Sequence, residues 1–104
     1  MTPSEWLHLQ DVSFTDIDFI ETVIINQSMY EQGRVNEMQL RALMNQHFPN
    51  HTYQTFKAMK LENFNMLLLV NHIFVNGRDI LYRYKELGLC TVFCSRVLRE
   101  KTTG

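Results

Sequence analysis

The stretch HFPNHTYQTFKAMK, residues 47–60, decides how the chain is read. Proline cannot continue a helix and pushes the residue before it toward extended geometry, so Pro49 and Asn50 must end any helix that precedes them. Thr52 then stands where an N-cap belongs. Tyr53 and Phe56, three apart, would share the inward face of a helix it starts, while Gln54, Thr55 and Lys57 point outward. The expectation is a tight turn followed by a short third helix, with Phe56 buried against the two helices before it.

Upstream, a first helix is expected from Phe14. Thr15 with Asp18 approximates a capping box, Asp16 and Asp18 suit the positive end of the helix dipole, and Ile17, Ile20, Val23 and Ile24 recur at helical spacing. Gly33 can take the left-handed backbone that ends helices. A second helix follows Asn36, with Leu40, Leu43, Met44, His47 and Phe48 along one face.

Downstream, NFNMLLLVNHIFV is apolar nearly all round, which predicts the most buried element. Asn76-Gly77 either separates two helices or turns a hairpin between HIFV and DILYRY, and helices are favoured. Gly88 closes the next helix, and Cys90, Phe93, Cys94, Val97 and Leu98 lie at the 3 and 4 spacing of a last one. Only the tail KTTG has the look of a fraying end.

At 104 residues the chain is one domain's worth, 1–104, with an ordinary 45% apolar and 20% charged content. No secretory signal is evident, and the longest apolar stretch is too short to span a bilayer, so a soluble intracellular protein is expected. The net charge of −1 conceals a division: seven acids against two bases through residue 56, then eight bases against four acids. Such a division orients a domain on an anionic partner, or simply neutralises one half of a fold against the other.

Two segments carry a resemblance. FTDID, residues 14–18, resembles the opening of the Myb-type domain of the telomeric repressor/activator protein, and HTYQTFK, residues 51–57, is similar to that domain's third-helix signature. LRALMNQHFPN keeps the apolar positions of the second helix between them. The resemblance covers about residues 12–64. It implies an all-α fold, a three-helix Myb/homeodomain-like helix-turn-helix unit, with 65–101 adding two or three C-terminal helices. Leu40 stands where the family has a core tryptophan, and Met59 and Lys60 replace an Arg and a Tyr.

The resemblance implies a nuclear, chromatin- or telomere-associated binding module. Because the resembling half is acidic, docking of a protein partner is preferred over double-stranded telomeric DNA, whose affinity draws on neutralised phosphates. For protein docking the exposed aromatics Trp6 and Tyr30 are the expected anchors. For the DNA alternative the candidate contacts are His51, Gln54, Thr55, Lys57 and Lys60 on helix three, with Arg78, Arg83, Arg96 and Arg99 from the basic half. Surface display of such residues is also what any solvated helix face shows. The reading leaves room for a homo-oligomer and includes no membrane partner.

No cofactor, metal or catalysis is expected. His47 and His51 with Cys90 and Cys94 match no zinc-finger spacing, and the pair Asp16 and Asp18 is explained by the helix dipole. There is no glycine-rich phosphate loop and no nucleophile elbow.

Overall fold

Ser13, not Thr15, starts the longest helix: its side chain accepts from the Asp16 amide at 3.1 Å, in the computed structural model that describes residues 1–99. Ser13→Ala should therefore cost about 0.5–2 kcal/mol on chemical denaturation, and Thr15→Ala, within the first turn and exposed, almost nothing. Equal costs would return the cap to Thr15.

Among the described residues there are six helices and no strand: α1 (Pro3–Leu9), α2 (Phe14–Glu31), α3 (Glu37–His47), α4 (Leu61–Val70), α5 (Gly77–Leu87) and α6 (Thr91–Arg99). The all-α expectation holds. α1 goes beyond the expected set, and Thr2 caps it in a box with Glu5. The KTTG tail lies outside the described residues. α2 ends where Gly33 adopts φ 74° and Arg34 N–H reaches back to the Met29 carbonyl at 2.9 Å, the closure that Gly33 signals in the sequence. Asn36 caps α3 in a box with Gln39, and the chain leaves that helix ahead of Pro49.

The expected third helix is absent. After α3 the chain turns and runs irregularly to Lys60, and Thr52 caps nothing. Asn71, at the end of α4, takes the Thr52 amide on its Oδ1 and gives its Nδ2 to the Thr52 carbonyl, both at 2.8 Å. The other end of the segment is held by side chains of α2 and α6. A helix here would have to withdraw these backbone groups from partners that already satisfy them, and buried backbone groups are rarely left unpaired. The three-helix unit expected over 12–64 is therefore two helices and a strap, residues 52–60. Phe56 is half-buried rather than enclosed, and Met59, fully buried, is the side chain the strap drives into the core.

Three helices follow residue 60, where two or three are expected, and Asn76 starts α5 as its cap instead of turning a hairpin. α4 is not the most buried of them. Leu61, Phe64, Leu67 and Leu68 face inward, but Met66, Leu69 and Val70 are exposed, because α5 covers one face of α4 and nothing covers the other. The central helix is α5, which packs on α1, α4 and α6 and buries Ile80, Leu81 and Tyr84 completely. Its start lies so close to α4 that a Cβ on Gly77 would meet Asn65 Oδ1 at 2.5 Å and Phe64 Cδ2 at 2.8 Å. The same Asn65 oxygen accepts the Gly77 amide at 2.8 Å, so glycine there lets α4 and α5 touch.

Candidate functional site

The residues expected to contact a partner are scattered over different parts of this fold. Gln54, Lys57 and Lys60 are exposed on the strap and Thr55 is half-buried, so they form no helix face. His51, also half-buried, stacks on Phe19 with ring centroids 4.4 Å apart, and its Nε2 lies 2.7 Å from Asp16 Oδ1. That contact ties the turn after α3 to the start of α2. Among the arginines, Arg78 and Arg99 are exposed, and Arg78 donates to the Leu98 carbonyl at 3.3 Å.

Arg83 and Arg96 are engaged within the fold. The Arg83 guanidinium lies over Trp6, 4.1 Å from the ring centroid, a cation–π arrangement that clasps α5 to α1. Trp6 is thereby half-buried, at the edge of a cleft of about 530 Å³ that Asp79, Tyr82, Glu86 and Leu87 also line. Tyr30 is half-buried against the core. Neither aromatic stands free in solvent.

Arg96 belongs to a polar cluster that composition and periodicity did not single out. Gln27, fully buried in α2, donates from Nε2 to the Phe56 carbonyl at 2.6 Å and to Glu31 Oε2 at 2.8 Å. The Met59 amide donates to the same Glu31 oxygen at 2.9 Å. Arg96 Nη2 completes the cluster, 2.5 Å from Glu31 Oε1 and 3.0 Å from the Met59 carbonyl. Tyr53 adds a longer bond, its hydroxyl donating to Gln27 Oε1 at 3.4 Å. Burial, the larger cause, pushes the Tyr53 phenol up to about 12.

Burial holds the two thiols and the Tyr84 phenol in their protonated forms. Burial pushes the Cys94 thiol up to about 12 and raises that of Cys90 as well, so near neutral pH both carry their protons, and the thiolate is the reactive form. Burial and the neighbouring Glu21 carboxylate, which accepts the Tyr84 hydroxyl at 3.1 Å, raise the Tyr84 phenol. Among the described residues no three His, Cys, Asp or Glu side chains are placed to share a metal ion, and no helix is long and apolar enough to cross a membrane.

What stands out on the surface is the outer side of α4 and the corner after it. Residues 63–77 contain no Asp, Glu, Lys or Arg. Met66, Leu69 and Val70 share one helix face by their spacing, and they are 59%, 54% and 45% exposed. Phe74, 76% exposed, follows in the α4–α5 turn beside His72. At its foot lies a groove of about 180 Å³ lined by Gln10, Asp11, Val12, Asp16, His72 and Ile73, so the apolar surface has an acidic border there. Sequence periodicity registered the apolar run but could not tell which side a neighbour would cover.

Comparison with models of protein families, with characterised proteins and with solved structures finds no match for this chain, and nothing in it identifies a Myb-like domain.

Proposed function

We propose that the chain is a non-enzymatic binding module that docks a protein partner through the outer side of α4 and Phe74. The observation that carries this reading is the uncharged, exposed apolar surface of Met66, Leu69, Val70 and Phe74. Contiguous exposed apolar side chains mark interaction sites, and binding energy concentrates in a few large anchors that become fully desolvated. The partner this surface fits is a protein presenting an apolar, uncharged face. Trp6 and Tyr30, each half-buried, become secondary positions.

Duplex DNA is the weaker reading. It retains Lys57, Lys60, Arg78 and Arg99 as exposed cations, but the helix expected to carry His51 to Lys60 is missing and Arg83 and Arg96 are committed elsewhere. A nuclear, chromatin- or telomere-associated setting rests on the resemblance of FTDID and HTYQTFK alone.

The test pairs two arms. A protein recovered with the wild type is purified and titrated against wild type and against the Leu69→Asp/Phe74→Asp variant, whose substitutions lie on the surface. The variant is expected to lose about 2 kcal/mol or more of binding free energy with its thermal unfolding preserved. Titration with telomeric and scrambled duplexes at two salt concentrations is expected to show no tight binding. Tight DNA binding with a steep salt dependence, or a partner indifferent to both substitutions, would overturn the proposal.

A further inference from the structure

The strap is attached to the molecule in an unusual way. None of the backbone groups from Thr52 to Met59 pairs with another backbone group among the described residues. Asn71 clamps one end through both backbone groups of Thr52. At the other end Gln27 holds the Phe56 carbonyl, Glu31 holds the Met59 amide and Arg96 holds the Met59 carbonyl. The strap's apolar attachment is three side chains, Met59 fully buried and Tyr53 and Phe56 half-buried against the core, whereas Lys57, Ala58 and Lys60 are exposed. The helices on either side carry their own hydrogen-bond ladders and do not need the strap's backbone for them.

We propose that residues 52–60 are a releasable strap, clamped by Asn71 and caught by Glu31 and Arg96, that opens as one unit while the helices stay packed and uncovers the seat of Met59. Segments with few buried apolar contacts and no ladder of their own occupy the low-stability end of a protein's local openings. The bonds are few, but those to Glu31 and Arg96 are charge-assisted, so the segment is closed most of the time and is released all together when they break. Opening frees the side chains of Asn71, Gln27, Glu31 and Arg96, which in the closed form are addressed to extended backbone. The uncovered site therefore has the chemistry to hold an extended peptide segment with an apolar side chain at the Met59 position. This inference is independent of the α4 surface.

Methionine oxidation reads the opening directly, because the chain carries its own controls. Met38 and Met66 are exposed at 81% and 59%, while Met59 and Met44 are sealed at 0% and 1%, with Met44 inside α3. The native full-length chain is treated with dilute hydrogen peroxide, and oxidation at each methionine is followed by peptide mass spectrometry. Met38 and Met66 should react first, Met59 next and Met44 last, with Met59 ahead of Met44 by about tenfold or more, because a local opening costs less than the global unfolding that exposes Met44. Asn71→Ala and Glu31→Gln should each speed Met59 by about tenfold, the worth of one strong hydrogen bond, and Met44 by no more than that factor, so that Met59 keeps its lead. Oxidation of Met59 at the rate of Met44 or slower overturns the proposal. So does a variant that leaves Met59 unaffected, or one in which Met59 loses its lead over Met44, since equal rates are the pattern of global unfolding.

Discussion

Phe64→Ala is expected to lower the free energy of unfolding by about 3–5 kcal/mol, the range for emptying a phenylalanine site that cannot collapse. Phe64 is 1% exposed and supports the contact at which α5 approaches α4, with Gly77 directly over its ring. Because neither helix can move closer without driving Asn65 into the Gly77 backbone, the cavity left by alanine would persist. Small domains hold only about 5–15 kcal/mol in all, so the variant would be partly unfolded at modest urea concentrations. Phe74→Ala supplies the control. The same residue type at 76% exposure should change stability by no more than about 0.5 kcal/mol. A comparable loss at both positions in urea titration would mean that Phe74 is covered and that the α4 surface is not free.

The second large effect is at Gln27. Gln27→Leu keeps much of the volume but strips the Phe56 carbonyl of its donor and the Tyr53 hydroxyl of its acceptor, and it removes one of the bonds to Glu31. Leaving a buried polar group unsatisfied costs roughly 1–3 kcal/mol, so a total of about 2–4 kcal/mol is expected, with the strap bearing most of the disturbance. Gln54→Ala, an exposed change of the same residue type on the strap itself, should be within about 0.5 kcal/mol of wild type. Denaturation curves that rank the two glutamines the other way would overturn the account of the cluster.

The difference between these glutamines shows what could be read from the chain and what could not. Gly33, Asn36, Pro49, Asn76 and Gly88 act through their own backbone geometry or through bonds to residues two to five away, and each marks a boundary in the structure as it does in the sequence. Ser13 and Thr15 each precede an acid by three residues, and the bond from the Asp16 amide to the Ser13 hydroxyl decides which of them caps α2. Leu40 is 1% exposed and lies in the core, where the spacing of its helix face puts it. Phe14 in FTDID is different: 68% exposed and stacked on His8 at 4.7 Å, it opens the helix without entering the core.

The third helix failed for a physical reason that no local window contains. HTYQTFK has the residues of a capped helix, and its conformation is decided by Asn71, Gln27, Glu31 and Arg96, which are 19 to 37 positions away from the groups they bind. Tertiary partners overrode local preference. The candidate surface was missed for a related reason. An apolar run reports that burial is available, but only the placement of α5 determines which of its side chains receive it.

The Arg96 catch also bears on how this chain can be divided. Its guanidinium, in the last helix, is the partner of a carboxylate at the end of α2 and of the backbone at Met59, so the polar centre of residues 12–64 is completed by a residue more than thirty positions beyond them. A cassette cut at the limits of the family resemblance would carry Glu31 without its counter-charge and would sever α4 after Phe64. A fragment meant to keep the Glu31–Arg96 pair together with the strap has to run from α2 through α6, and the short Lys57–Ala58 link between the Phe56 and Met59 attachments has to keep its length.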